Sequence, residues 1–461
     1  MIAVAGIILS LICLMLLAYR NHSVLVIAPA CALLAVAFDG QLPLMASFTQ
    51  IYMISLGLFI ERYFPLFLLG SIFGKLMEET GSARAIVNHV VHVVGPQQAI
   101  AALVFTCALL TYGGVSLFVV VFTVFPMAVA LFRQANLPQR LIPAAIALGS
   151  FTFTMTAMPG SVQIQNLIPM PFFKTNSFAA PVMGLTASAM MLGLGYLWLT
   201  KRAKQAKSSG FGFYLTDENM LSPMNQDSKA GQLPTLAAAL APLFCMVVLN
   251  FILSQYVVPK WHAEYLAQPR FGSTDLKKVQ GTWSTILAMS GSILCILVIH
   301  FRHFRNFKVP ITQGANSALL PVFNAASEFG YGSTIAALSG FASIRDWMIS
   351  IAPSQPLVSE AISINVLAGI TGSASGGLSI ALEALGTTFL ERGLAAGIDP
   401  EVMHRVASIS CGGLDTLPHN GAVITLLLIC GQTHRDSYWD IAVVSVIIPL
   451  LTTITLVFFM S

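Results

Sequence analysis

The sequence predicts an all-α polytopic membrane protein with two inverted repeats, each of five spans plus one re-entrant hairpin, and with two broken helices. Three observations predict this fold. Of the 461 residues, 56% are hydrophobic and only 9% are charged, with a mean hydropathy of +0.79, which is typical of multi-spanning membrane proteins and not of soluble domains. Two apolar runs are interrupted by glycine, proline and polar residues. The same features also recur in the same order in both halves of the chain.

Charge-poor runs mark the spans, each of which needs about 20 apolar residues. Two longer runs, 93–132 and 361–397, have a glycine-rich centre and predict re-entrant hairpins, with two full spans and a tight turn as the alternative. The single spans are predicted near residues 2–18, 23–39, 51–76, 140–170, 179–200, 234–257, 284–301, 315–341, 400–430 and 438–459.

Two of these spans are interrupted in the middle. Residues 148–161 contain Pro159 among several threonines, and residues 408–421 contain Asp415 and Pro418. Free backbone groups at membrane depth are tolerated only where protein or a water-filled cavity satisfies them. Interrupted helices at matching positions of two halves are typical of a transport site.

Basic residues at the span ends predict the orientation. Lys201, Arg202, Lys204 and Lys207 follow one span, and placing such basic ends in the cytoplasm leaves both termini outside. An odd number of spans in the first half then inverts the second half. The expected units are a first transmembrane repeat, a cytoplasmic linker and a second, inverted transmembrane repeat, at residues 1–200, 201–230 and 231–461.

The internal repeat is read from six features that recur after about 260 residues. Each half has a proline in its third span, then a Phe-Gly pair, then a Gly-Gly-x-Ser hairpin centre, then a Leu-Pro or Asp-Pro start of a span that is broken at a proline. The matched positions are Pro65 with Pro321, Phe73-Gly74 with Phe329-Gly330, Gly113-Gly114 with Gly376-Gly377, Ser116 with Ser379, Pro138 with Pro400, and Pro159 with Pro418.

This architecture resembles the ion transporter superfamily, and more narrowly the gluconate permease family of proton symporters. The resemblance covers nearly the full length and rests on residues 73–78, 125–128, 136–138, 159–160 and 413–421. Sugar-acid members carry a His-Gly-Phe-Leu-Pro-Pro-His-Pro-Gly-Pro-Thr run at the first break, whereas this chain has Thr152 and Met158 at the two histidine places and Thr156-Ala157 at the proline pair. The sequence is more similar to the branch for small hydroxy acids, which includes D-beta-hydroxybutyrate permeases.

The candidate site residues lie at the hairpin centres and the two breaks. Backbone N–H groups, hydroxyls and glycines at such places suit an anion, although Gly-Ser clusters also let helices pack closely. The expected substrate- or ion-binding residues are Gly113, Gly114, Ser116, Thr152, Thr156, Ser161, Ser373, Ser375, Gly376, Gly377, Ser379, Asp415, Thr416, His419 and Asn420.

Three carboxylates are candidates for proton coupling, because a carboxylate at mid-span is costly and functional by default. Asp415 is the first, with a cap on free amides as its alternative role, and Glu328 and Glu383 are the others. His419 is expected to relay a proton or to contact substrate, and Asn420 to offer it a donor and an acceptor. Glutamates near span ends are expected to be interfacial, namely Glu78, Glu79, Glu360 and Glu391.

The expected activity is secondary transport of a small organic (hydroxy)carboxylate, coupled to protons, or alternatively to sodium. A channel and an intramembrane enzyme are less favoured, and no P-loop suggests ATP-driven transport. A net charge of +4 gives no reason to expect nucleic acid, and seven cysteines without a CxxC pair predict neither a disulfide framework nor a metal site. No cofactor is expected. The resemblance implies a homodimer in the inner cell membrane.

Overall fold

The computed structural model describes residues 2–20, 22–115, 117–213, 233–301, 307–350, 352, 354–418 and 420–460, all of them in helices, turns or loops. The first half contains α1 (Ile2–Tyr19), α2 (Val24–Asp39), α3 (Leu44–Glu79), α4 (Ser82–Val94), α5 (Ala99–Tyr112), α6 (Leu117–Gln134), α7 (Ile142–Ser150), α8 (Phe153–Thr156), α9 (Ile164–Leu167), α10 (Met170–Phe173) and α11 (Pro181–Ser208). The all-helical fold that the sequence predicts is confirmed.

The second half repeats this order of long, short, paired and broken helices. It contains α12 (Leu236–Lys260), α13 (Leu276–Ile299), α14 (Lys308–Ala336), α15 (Phe341–Ser350), α16 (Pro356–Thr371), α17 (Ala374–Ala395), α18 (Pro400–Ser410), α19 (Gly421–Ile429) and α20 (His434–Met460). Within the described residues, α3, α11, α12, α13 and α20 are long and apolar enough to cross a membrane.

A pair of consecutive helices lies at each position where the sequence predicts a re-entrant hairpin. Hairpin 1 consists of α5 and α6, and hairpin 2 consists of α16 and α17. The arms of hairpin 2 pack closely, because a side chain at Gly377 would meet the backbone of Leu367 and Ala368. Ser116, at the centre of hairpin 1, lies outside the described residues.

The most extensive helix packing among the described residues is that of α3 against α14, two helices at equivalent places in the two halves. Gly314, early in α14, lies against Ile72 near the end of α3, and Gly330, late in α14, lies against Tyr52 near the start of α3. The two helices therefore run antiparallel, which is the relation that inverted repeats require. The inversion of the complete halves stays a prediction.

Polar contacts between helix ends join segments that the predicted topology places on one side of the membrane. At the expected outer side, Ser339 Oγ donates to Asp39 Oδ1 (2.5 Å). At the expected inner side, Arg202 Nε donates to Asp440 Oδ1 (2.7 Å). Gln139 Nε2 also donates to the carbonyl oxygen of Cys430 there (2.9 Å). These pairs fit the predicted alternation of spans, whereas the absolute orientation stays a prediction.

Several boundaries differ from those expected. α13 begins about two turns before the predicted span, because the Asp275 side chain accepts a hydrogen bond from the backbone N–H of Lys278 (3.0 Å) and caps the helix. α11 continues to Ser208, so the predicted linker begins as helix. The rest of that linker, from residue 214, lies outside the described residues.

Candidate functional site

The second interruption, break 2, comprises residues 411–420 between α18 and α19, with His419 outside the described residues. Asn420, the last residue of break 2, joins it to its surroundings by three hydrogen bonds. The Asn420 Oδ1 atom accepts from the backbone N–H of Val423 (2.9 Å) and so caps α19. Its Nδ2 donates to the carbonyl oxygens of Asp415 (3.0 Å) and Gly372 (2.9 Å). Break 2 is therefore tied to the tip of hairpin 2.

The tip of hairpin 2 is built by a sharp end of α16 and a capped start of α17. Gly372 has a φ of 63°, in the left-handed region that glycine adopts without strain. Ser373 Oγ accepts from the backbone N–H of Gly376 (3.1 Å) and caps α17. This turn exposes the first N–H groups of α17, where an anionic group is favoured.

A carboxylate already lies at this helix start. Glu328, on α14, is 5% exposed and receives a hydrogen bond from Ser373 Oγ (3.5 Å). A side chain at Gly376 would overlap the Glu328 carboxylate. Glycine at this position thus lets the carboxylate approach the backbone of α17, and the neighbouring Ser327 Oγ joins the Tyr52 hydroxyl on α3 (2.5 Å).

The first interruption, break 1, comprises residues 151–163 between α7 and α9. Its hydroxyls bond within the segment or to the end of α7. Thr152 Oγ1 donates to the carbonyl oxygen of Leu148 (2.6 Å), and Thr156 Oγ1 to that of Thr152 (3.1 Å). Ser161 Oγ donates to the carbonyl oxygen of Thr154 (2.8 Å). These three predicted site residues therefore stabilise the break itself in this conformation.

Break 1 is tied to hairpin 1 as break 2 is tied to hairpin 2. Tyr112 Oη donates to the carbonyl oxygen of Pro159 (2.8 Å), and Gln163 Nε2 donates to that of Thr111 (2.6 Å). At the tip itself, Gly114 has a φ of 84° and lies against Val162. Each hairpin is thus joined by hydrogen bonds to the break of its own half.

The two breaks contact each other. Ser408 Oγ, at the end of α18, donates to the carbonyl oxygen of Thr156 (2.6 Å). A Cβ atom at Gly412 would lie 2.7 Å from Thr156 Cγ2. The structure therefore brings the first and second broken helices together at Thr156 and Gly412, as the expected site requires.

Asp415 lies in the interior of break 2 and is 3% exposed. Its Oδ1 atom is buried without a hydrogen-bond partner among the described residues. The next residue, Thr416, donates through Oγ1 to Ser445 Oγ on α20 (2.9 Å) and so holds the break in place. A buried carboxylate oxygen without a partner is costly, and uptake of a proton or a cation reduces that cost.

The remaining predicted residues divide between the tip and the packing interior. Ser375 is half-buried at the tip, 3.5 Å from Ser373 between their Oγ atoms. Ser379 is buried, and its Oγ has no partner among the described residues. Gly113 and Gly377 are packing positions, because a side chain would overlap Leu243 and the hairpin backbone, respectively.

Two expectations need correction. Both amide protons of Asn420 are used within the protein, so in this conformation it offers no free donor to a substrate. Glu360, expected at the interface, is 1% exposed, and both its oxygens are buried without a partner among the described residues. α16 packs against α1, α15, α17 and α18, which explains why a position near a helix end is buried.

Glu383 lies apart from the tip. It is half-buried on α17, and its Oε1 accepts from Ser333 Oγ on α14 (3.4 Å). The contact lies between two packed helices, so Glu383 is placed to hold α17 on α14. Among the described residues, no hydrogen bond or ion pair joins Glu383 to the breaks or to the tip of hairpin 2, whereas Glu328 accepts a hydrogen bond from Ser373 at that tip.

Sequence reasoning missed a buried basic pair on α18. Arg405 is fully buried, and among the Lys and Arg side chains that the structure describes it alone is buried. Its Nη1 donates to Asn166 Oδ1 (2.9 Å), and its Nη2 donates to the carbonyl oxygen of Ala179 (2.7 Å). His404 Nδ1 lies 2.5 Å from Thr175 Oγ1. The sequence did contain a sign of this burial, because Arg405 is a charged residue within the predicted span 400–430.

This basic pair joins α18 to the chain that follows break 1. Among the described residues, no carboxylate oxygen lies within 4 Å of Arg405, and its neighbours are neutral carbonyl and amide oxygens. The described residues contain no group of three or more His, Cys, Asp or Glu that could hold a metal ion. Arg405 is therefore the one buried Lys or Arg charge in the part of the chain that the structure describes, and Glu401, one turn earlier on α18, interacts with it electrostatically.

The chain is similar to known transporters over nearly its whole length. It is 44% identical over 451 residues to the uncharacterized transporter YxjC of Bacillus subtilis (strain 168), covering 96% of this chain and 95% of that protein. No protein-family model matches the sequence.

Two solved transporter structures share the fold. The YdaH transporter of Alcanivorax borkumensis matches with a TM-score of 0.55 and 14% identity, covering 88% of this chain and 87% of that one. MtrF of Neisseria gonorrhoeae, described within a class of antimetabolite efflux pumps, matches with a TM-score of 0.54 and 13% identity, covering 90% and 83%. From the identity to YxjC over almost the full length, the chain belongs to that family of multi-pass membrane transporters and is not an enzyme.

Proposed function

We propose that this transporter is a secondary active carrier that couples proton entry to uptake of a small organic carboxylate, such as 3-hydroxybutyrate or gluconate. The observation that carries the proposal is the buried polar assembly of break 2, the hairpin 2 tip and Glu328. Asn420 bonds both the break and the tip, and Glu328 lies against Gly376. Polar groups at this depth point to a path for substrate or ions.

An anionic substrate is supported by the charge and the backbone of the interior. Arg405 supplies a buried positive charge on α18, the helix that leads into break 2. The start of α17 adds the positive end of a helix dipole, which also favours an anion.

Proton coupling is supported by Asp415 and Glu328. Among the described residues, neither carboxylate has a Lys, Arg or His nitrogen within 4 Å. A buried carboxyl without a cation is far less costly when it is neutral. Both groups therefore suit a carrier in which a carboxyl takes a proton on one side of the membrane and releases it on the other.

Sodium coupling is the second candidate, because acceptor oxygens without donors gather at break 2. Asn365 Oδ1, on α16, has no hydrogen-bond partner among the described residues and lies against Gly413. Asp415 Oδ1 is unpartnered two residues further on. Oxygen atoms of this kind bind hard cations, so a sodium ion would satisfy them as a proton would satisfy the carboxyl.

The test is uptake by the purified protein in liposomes, with labelled 3-hydroxybutyrate and labelled gluconate as substrates. A pH gradient, acid outside, is imposed without sodium, and in parallel a sodium gradient is imposed at equal pH. We expect accumulation with the pH gradient alone, and protein-free liposomes as control should show none. Accumulation only with sodium would establish the second candidate.

Absence of uptake of either acid under both gradients would contradict the proposal as a whole. Conductance without accumulation would instead indicate a channel. The expected homodimer and the inner cell membrane as location stay predictions.

A further inference from the structure

A cavity of about 350 Å³ opens at the end of the bundle where α10 ends, α13 begins and α17 connects to α18. We name it the outer pocket, since the predicted topology places this end outside. Its lining includes the charged residues Lys174, Lys277, Asp399 and Glu401, together with the amide of Asn176. These five polar residues come from three separate parts of the chain.

The two lysines of the outer pocket are free to bind an anion. Among the described residues, neither ammonium group has a carboxylate oxygen within 4 Å. The two carboxylates already accept backbone hydrogen bonds, Asp399 Oδ1 from the N–H of Glu401 (2.8 Å) and Glu401 Oε2 from the N–H of Ala180 (3.0 Å). Each still has a second oxygen that can accept a hydroxyl proton.

Lys174 occupies a backbone position that lysine rarely adopts. It ends α10 with a φ of 56°, in the left-handed region. That conformation costs a residue with a Cβ atom roughly 1–2 kcal/mol, and glycine or asparagine adopts it more readily. Backbone strain of this kind is found at binding sites, and here it occurs at one of the two lysines that line the pocket.

The floor of the outer pocket reaches the buried basic pair. Thr175 also lines the pocket, and its Oγ1 lies 2.5 Å from His404 Nδ1. The next residue, Arg405, is the buried cation of α18. From there α18 leads to Ser408, which contacts break 1 through the carbonyl oxygen of Thr156 (2.6 Å). Positive charge and hydrogen-bonding groups thus continue from the pocket toward the breaks.

We propose that the outer pocket is an access site where an organic hydroxy acid binds before it reaches the breaks. The substrate carboxylate lies between the Lys174 and Lys277 ammonium groups, and its hydroxyl donates to Asp399 or Glu401. The inference rests on the proposed function, because its ligand is the transported anion. The pocket captures the anion at the membrane surface and so governs the Michaelis constant more than the maximal rate.

The test compares the initial uptake rates of wild-type protein and a Lys174→Gln, Lys277→Gln double variant in liposomes. The probe is labelled 3-hydroxybutyrate, or labelled gluconate if that is the acid the wild type carries. Each exposed charge pair changes affinity by about two- to fivefold. We therefore expect KM to rise roughly 4- to 25-fold with an unchanged maximal rate. The difference should shrink in 0.5 M salt, because salt screens exposed charges.

Two matched variants make the result specific. Lys278→Gln changes the neighbouring exposed lysine, which is not among the residues that line the pocket, and should keep the wild-type KM. The Lys174→Arg, Lys277→Arg variant retains both charges and should restore most of the affinity. An unchanged KM in the Gln variant, or an equal rise with Lys278→Gln, would overturn the access site while leaving the proposed function intact. A wild type that carries neither acid would overturn both.

Discussion

In break 1 the hydroxyl groups bond to carbonyl oxygens of their own segment, whereas in break 2 the polar groups reach across to other helices. Thr152, Thr156 and Ser161 all donate within residues 148–161. Asn420 and Thr416 instead bond hairpin 2 and α20. Break 1 is thus a neutral segment whose hydroxyls bond locally, and break 2 contains a carboxylate and is held by side-chain bonds to other helices.

This difference assigns different tasks to two segments at equivalent positions. A neutral, internally bonded break can shape a cavity and exchange hydrogen bonds with a substrate at small cost. A break that contains a buried carboxylate with one unpartnered oxygen changes its stability when a proton or cation arrives. The comparison therefore predicts that coupling resides in break 2, and that the two breaks respond unequally to mutation.

The largest effect is expected from Arg405, which joins α18 to the chain after break 1. Arg405→Leu removes the four hydrogen bonds of the guanidinium, to Asn166 Oδ1 and to the carbonyl oxygens of Ala179 and Ser177, and a hydrogen bond to a charged group contributes about 1.5–3 kcal/mol. We expect a loss of at least about 3 kcal/mol, seen as a much lower melting temperature in detergent. Arg435→Leu, at an exposed position, is the control and should melt like the wild type.

A smaller but still large loss is expected from Asn420→Ala. The change removes the cap of α19 and both donated bonds of the side chain, so about 2–3 kcal/mol of stability should be lost. Hairpin 2 should also loosen, and hydrogen exchange at residues 368–378 should speed up. Unaltered exchange there would show that the Asn420 contact does not hold the tip.

The contact between the breaks is tested by Gly412→Ala with Thr156→Ser. The added methyl group overlaps Thr156 Cγ2, and overpacking of this kind costs about 1–3 kcal/mol. We expect a roughly tenfold lower uptake rate. Thr156→Ser removes the overlapping methyl group but keeps the hydroxyl, so the double variant should recover most of the rate. Equal loss in single and double variants would place the breaks apart.

The smallest effect is expected from Thr152→Val, which removes only a bond from a side chain to its own helix. Such bonds contribute little, so the loss should stay below about 1 kcal/mol. A loss as large as that of Asn420→Ala would contradict the distinction between the two breaks. The melting temperatures of both variants, measured in the same detergent, decide this.

Periodicity and composition predicted the helices well, because spans, hairpins and breaks depend on long runs of apolar residues and on local Gly and Pro. Boundaries that depend on single capping residues, such as Asp275 before α13, were less accurate. Asp415 and Glu328 were found because a carboxylate within an apolar run is conspicuous. Arg405 was missed, since its position next to a predicted span start concealed that tertiary packing buries it.

The roles of individual residues could not be predicted where they depend on partners far along the chain. The side chain of Asn420 makes its hydrogen bonds to Gly372, Asp415 and Val423, and the local sequence does not show the contact with Gly372. Glu360 is buried although it lies near a helix end, because α16 is surrounded by other helices. The position of a residue in a predicted span limits how polar its surroundings can be, but it does not identify the residues that the side chain contacts.

The central claim is that Asp415 carries the coupled proton, and Asp415→Asn in liposomes tests it most directly. The asparagine mimics the neutral carboxyl, so exchange of labelled for unlabelled substrate should persist, whereas a pH gradient should no longer drive accumulation. Glu383→Gln is the control and should keep both activities, because Glu383 contacts Ser333 and not the breaks. Retained pH-driven accumulation in Asp415→Asn, with normal exchange, would contradict the claim and assign proton coupling to another carboxyl, with Glu328 as the first candidate.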